Sequence, residues 1–363
     1  MSKGCKWSFS QTTACFLILC HLSYFPTFSR NNFQAANSDE LRNANTSQRV
    51  QIPRAKFAKL TNVGSSSFIS HGFCPETVEK GVIGGTQLLY LLQILDNKTL
   101  TLVGDSLSQQ MFDALLIHAN IFGMSVDVSY TLYRSDSTED KCYEKIPMNT
   151  SHAIDWSKRE DLCNGVRCSA YKSFSAILEG MDKIVKINLL NVYRVKMSSQ
   201  YYYRTCGFCH IEELITTSDY VIINFGLHYS ENVVANAARE EYEPLLLLIK
   251  SLMAKSEKVY YRLTLPQHFN TSTNAYNSSK QNISRCVKHG NRIDLNEVER
   301  LNLAKFADRK SDGGNLLDLY SVFEMAGNLH SVGNWRDCTH FCWSDILFEP
   351  VWASLHSAFS KAE

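Results

Sequence analysis

The sequence predicts an α/β fold on a mainly parallel sheet covered on both faces, and three observations predict it. Short apolar runs alternate with segments of helical periodicity along most of the chain. The runs are continuous in their apolar character, which suits strands buried on both faces. The 363 residues are 44% hydrophobic and include 19 Phe and 17 Tyr, enough for one large core or two small ones.

The elements follow in order. Residues 99–103 (TLTLV) form a strand ending at Gly104, and residues 108–120 a helix. Residues 219–225 are a buried strand, 240–254 a helix with a Leu-rich face, and 258–264 another strand. Residues 295–306 read as a helix, 315–323 as a further strand, and 346–359 as a helix that closes the domain. Residues 133–215 break this rhythm and read as a cysteine-containing insertion or small lobe. In such sheets reactive groups gather at the carboxyl ends of strands. Ser106, the stretch from Asn224 to His228, and the stretch from Pro266 to Phe269 fall there.

The N-terminal residues differ from the rest. Lys3 and Lys6 precede an apolar run that continues, interrupted by His21 and Pro26, to Phe28. Residues 1–28 therefore read as a signal peptide, with a signal-anchor as the alternative and an ordinary helix as the plain one. The run falls short of the roughly 20 apolar residues that span a bilayer. Residues 29–71 are rich in Asn, Ser, Gln and Arg and read as a stem or linker, leaving 72–363 as the folded domain.

Entry into an oxidising lumen fits two further features. Asn-x-Ser/Thr occurs at Asn45, Asn97, Asn149, Asn270, Asn277 and Asn282, the last three in a polar loop. Of 12 cysteines, Cys5, Cys15 and Cys20 lie in the leader; Cys74, Cys142, Cys163, Cys168, Cys206, Cys209, Cys286, Cys338 and Cys342 remain. Most should pair, with the connectivity open. The expected location is the secretory pathway: the Golgi lumen as a single-pass type II protein, or secreted. Cys206-Gly207-Phe208-Cys209-His210 has the spacing of a haem or redox motif, but structural disulfides suit this compartment better. No cofactor and no metal are expected. Lys and Arg number 37 against 36 acidic residues, so charge gives no case for a nucleic-acid partner.

Two short motifs carry chemistry. Gly104-Asp105-Ser106-Leu107 joins a strand to a helix, placing Ser106 where the helix dipole stabilises negative charge. A plain helix cap is the competing explanation. Asp337-Cys338-Thr339-His340-Phe341-Cys342 supplies what a serine nucleophile lacks: a base, and an acid to orient it. Asp337 three residues before His340 can do this on a tight turn. Cys338 and Cys342 would brace that turn if they were oxidised to separate partners. After the strand at 219–225, Asn224 and Gly226 are candidates for an oxyanion hole, and His228 is a rival base or a substrate-binding group.

Gly-Asp-Ser-Leu with Asp-Cys-x-His-x-Cys resembles the PC-esterase group of the SGNH/GDSL superfamily. That group includes the trichome-birefringence-like polysaccharide O-acetyltransferases, and the catalytic domain of sialate O-acetyltransferase is similar. Asn224-x-Gly226-x-His228, then Arg262, Pro266-Gln267-His268-Phe269 and Cys286, match in the same order, so the resemblance spans about 72–358. It implies a three-layer α/β/α sandwich and a triad of Ser106, His340 and Asp337. Asp105, Gln109, Asn224, Gly226 and His228 would serve the oxyanion or substrate. It also implies acetyl transfer through an acyl-serine, from acetyl-CoA or another acetyl donor to a glycan acceptor. Two departures stand out. Plant members carry Arg-Asn-Gln where Gln109-Gln110-Met111 stand here, so Gln109 must replace the Arg as a neutral donor. The family's Leu-Pro-Gly is Trp343-Ser344-Asp345 here, so the acceptor side can differ. An acyl esterase with the same triad and a non-catalytic glycan-binding protein are the alternative functions.

Overall fold

The computed structural model describes residues 50–51, 74, 82–135, 144–146, 169–191, 207–227, 236–269, 286–287, 299, 315–330 and 337–362. All of them fall in the compact unit Ser47–Glu363. The expected leader lies outside the described residues, as do the stem apart from Val50 and Gln51, the helix at 295–306 apart from Glu299, and His228.

The strands are β1 (Val50–Gln51), β2 (Val82–Ile83), β3 (Thr99–Gly104), β4 (Ser125–Ser135) and β5 (Glu144–Ile146). They continue with β6 (Ser169–Gly180), β7 (Lys183–Asn191), β8 (Tyr220–Asn224), β9 (Val259–Arg262) and β10 (Leu316–Leu317). The helices are α1 (Thr86–Ile94), α2 (Ser106–Ile121), α3 (Gly207–Thr217), α4 (Asn236–Lys255), α5 (Tyr320–Phe323) and α6 (Asp345–Ser360).

The fold is α/β around a mixed sheet of eight strands in the order β10-β9-β8-β3-β7-β6-β4-β5. Pairing is parallel from β10 through β7 and antiparallel from β7 through β5. Strands β3, β8 and β9 match the runs read from the sequence, whereas β7 lies in the stretch read as an insertion. Leu100, Leu102, Ile187, Leu189 and Ile222 point to one apolar cluster, shared with α1, α2 and α6. Val103, Leu190, Val221, Ile223 and Val259 point to a second, shared with α3 and α4. Period-2 alternation on strands buried on both faces produces this division.

Two expectations are corrected. Within the stretch 133–215, residues 169–191 are not set apart from the sheet: β6 pairs with β4, and β7 lies beside β3 near the sheet's centre. The stretch 315–323 is not one strand. Asp318 Oδ1 accepts the Tyr320 N–H at 3.1 Å and turns the chain from the two-residue β10 into α5. Among the described residues, no helix is long and apolar enough to cross a membrane.

Candidate active site

Three strand ends meet at one edge of the sheet. Gly104 is in register with Asn191 on one side and Asn224 on the other. The chain then turns directly into α2, whose first residue is Ser106. Gly104 has φ +152°, and a Cβ there would collide with the Asn224 carbonyl and the Ser108 hydroxyl. The sharp turn therefore needs glycine. Asp105 caps α2, its Oδ1 accepting the Leu107 N–H at 3.0 Å. Ser106 is left half-buried at the positive end of a sixteen-residue helix.

The turn before α6 brings His340 to this serine. His340 Nε2 lies 2.7 Å from Ser106 Oγ, and His340 Nδ1 lies 2.6 Å from Asp337 Oδ2. A carboxylate only accepts, so Nδ1 carries the proton and Nε2 offers its lone pair to the serine O–H. The other Asp337 oxygen, Oδ1, accepts the N–H groups of Thr339 at 2.8 Å and His340 at 3.1 Å. Burial opposes the Asp337 charge. The His340 ring and these two N–H groups outweigh it and hold the carboxyl at about 2. The His340 and Asp337 side chains are 20% and 27% exposed, so the pair is open to a small reactant.

Nearly every residue of this turn is tied down. Cys338 is bonded to Cys286 and Cys342 to Cys74, the separate partners that bracing the turn required. The His268 N–H donates to the Cys338 carbonyl at 2.9 Å, and Gln267 Nε2 donates to Thr339 Oγ1 at 2.9 Å. The Gln110 side chain clamps the Phe341 backbone, donating to its carbonyl and accepting its N–H. Gln110 sits one turn after Ser106 on α2, so this clamp couples the helix of Ser106 directly to the loop of His340.

The remaining candidates divide. Asp105 and Asn224 are both 0% exposed, so neither touches a substrate. Asn224 Nδ2 donates to the Arg262 carbonyl at 2.7 Å and to Thr264 Oγ1 at 3.1 Å, and its Oδ1 accepts from Arg262 Nη2 at 3.1 Å. Its amide fastens β8 to β9 and is not an oxyanion donor. Gly226 is a packing requirement, since a Cβ there would run into Thr264 and Glu299. Gln109 is half-buried beside the site, and its Oε1 accepts from Asn191 Nδ2. That contact occupies the Gln109 amide oxygen.

Behind the site lies a buried polar network. Arg262 is 1% exposed and reaches Ser108 Oγ at 3.4 Å. Burial pushes its guanidinium down, and the Asp105 charge is the main effect working against that. Glu299 accepts from Thr264 N at 2.8 Å, Thr264 Oγ1 at 2.6 Å and Tyr261 OH at 2.8 Å, and also from Tyr242 OH. Burial pushes its carboxyl up against those bonds.

Sequence reasoning missed Asn191, Gln110 and His330. Asn191 had a signal: it ends a strand-like run just as Asn224 does. Gln110 and His330 had none, because their partners are distant in the chain. No family model matches the chain, and no curated protein matches it.

Proposed function

We propose that the chain is an acyl-transferring enzyme in which Ser106 carries the acyl group. The observation behind this reading is the pair of contacts at His340, 2.7 Å to Ser106 Oγ and 2.6 Å to Asp337 Oδ2. Ser106 Oγ attacks the carbonyl of the donor, and its proton passes to His340 Nε2. The leaving group takes that proton. An acceptor hydroxyl then gives its proton to His340 and attacks the acyl-serine; the Ser106 Oγ–acyl bond breaks and Oγ takes that proton back from His340. The α2 dipole stabilises the oxyanion, and Gln109, three residues after Ser106 on α2, is the candidate neutral donor to it. The acceptor is a glycan hydroxyl and the acyl group acetyl, by the resemblance to PC-esterases.

The three-layer sandwich of that group belongs to the same proposal, supported by the two apolar clusters on opposite faces of the sheet. So does a secretory location, supported by the two disulfides at the base's loop and by Asn97, an exposed sequon asparagine on a turn. An esterase is the second reading, because the exposure of His340 and Asp337 lets water reach the acyl-serine.

A serine-directed fluorophosphonate tests the nucleophile. Wild type labels, and Ser106→Ala does not. A wild type that stays unlabelled leaves a glycan-binding module as the better account. Incubation with an acetyl donor, with and without glycans, separates the two enzymes. Free acid as the sole product under every acceptor rejects the transferase.

A further inference from the structure

Two buried histidines that the acyl chemistry does not use lie behind the base's loop. His330 Nδ1 is 2.8 Å from the His340 carbonyl, and His330 Nε2 is 2.8 Å from His268 Nδ1. His268 Nε2 is 3.0 Å from the Glu324 carbonyl. Carbonyl oxygens only accept, so both outer nitrogens must carry protons. The contact between the rings needs a third proton. Two neutral imidazoles supply two.

We propose that His268 and His330 share one added proton and act as a positioning pair, fixing the His340 carbonyl and through it the ring that faces Ser106. This rests on the reading of Ser106, His340 and Asp337 as a triad. His268 is 0% exposed and His330 5%. Phe341 stacks on His330 at 4.4 Å and meets His268 edge-on at 5.9 Å. The titratable groups facing His330 are His268, Asp337 and His340, and Glu324 presents its backbone carbonyl to His268.

Burial pushes His330 down to about 4, the His340 carbonyl and Asp337 pulling up and the neighbouring rings pulling down. The pair therefore gains its charge on acidification. When the third proton leaves as pH rises, one of the three contacts sets lone pair against lone pair. The His340 carbonyl then loses its donor, or the two rings part. The fixed arrangement belongs to the acid side. This opposes the need for a neutral His340 as base, so the rate passes through a maximum.

Histidine ¹⁵N NMR on the full chain between pH 4 and 8 tests the shared proton. Signals are assigned with His268→Phe and His330→Phe, and the titration is repeated in Ser106→Ala, which has no nucleophile. Expected is the uptake of one proton by the two rings as pH falls, with both rings and His340 shifting together. Two independent titrations, or two neutral rings at pH 4, overturn the proposal. The pH profile of fluorophosphonate labelling tests the positioning role. Wild type loses rate on the alkaline side of its maximum. His268→Phe leaves His330 one proton for the His340 carbonyl and lacks that loss. A folded His268→Phe with the wild-type profile overturns the role. Absence of wild-type labelling at every pH removes the triad reading and the positioning role together, and the NMR proton count still decides the shared charge.

Discussion

Asp337 uses its two oxygens for different tasks. Oδ1 shapes the turn by accepting two backbone N–H groups, and Oδ2 holds the His340 ring. Asp337→Asn keeps an oxygen for the turn but presents an amide or a weaker acceptor to Nδ1, which favours the wrong tautomer. The expected result is a drop in acyl transfer or labelling rate of roughly a thousandfold or more in a variant that still folds. Because the carboxyl is held at about 2, its own protonation does not limit the rate at neutral pH. At this scale the sequence was legible where a task is local. Asp337 and His340 are three residues apart, and Asp105 and Ser106 are adjacent. Asn224 was misread because a strand-end amide looks the same whether it faces a substrate or a neighbouring strand. The Arg262 carbonyl, 38 residues away, decides between them.

Helix α1 has no side-chain cap of its own; its N-cap is Gly85. The cap comes from α6. Asp345 Oδ2 accepts the Gly84 N–H at 2.8 Å, and Glu349, one turn later, accepts those of Gln87 at 2.9 Å and Leu88 at 3.4 Å. Glu349→Ala should cost about 1 kcal/mol in chemical denaturation, and Glu349→Gln less, since an amide oxygen still accepts. Element types were legible in β3, β8 and β9, where strands buried on both faces read as unbroken apolar runs. They were not legible in the antiparallel half. Ile177 and Ile184 are exposed, and Lys186 stands on the open face of β7, so the alternation mixes polar residues into the strands. The paired lengths of β6 and β7 follow from the sheet, which no local window contains.

At the scale of the whole molecule, His118 links stability to pH. Its ring is 0% exposed, accepts from Trp352 Nε1 at 3.0 Å and donates to the Gly84 carbonyl at 2.7 Å. Burial lowers it from 6.5 to about 4, with the Gly84 contact opposing. The unfolded chain takes up this proton first. The stabilisation is complete above 6.5 and is lost as pH falls toward 4, on the order of 3 kcal/mol. His118→Gln should show a smaller fall in melting temperature between those two pH values than wild type. The disulfides act over the same span. Cys286→Ser with Cys338→Ser should lower stability by about 2–4 kcal/mol. It should also slow serine labelling more than it slows refolding, because the bond anchors the loop that carries His340.

Ser106 and His340 stand 234 residues apart in the chain. During synthesis Ser106 is made long before His340. A nascent or truncated chain that stops between them has Ser106 without His340 to take its proton. If Ser106 carries the acyl group as proposed, such a product is inert toward acyl donors. Proteolytic loss of the segment carrying His340 would switch the chain off without touching Ser106.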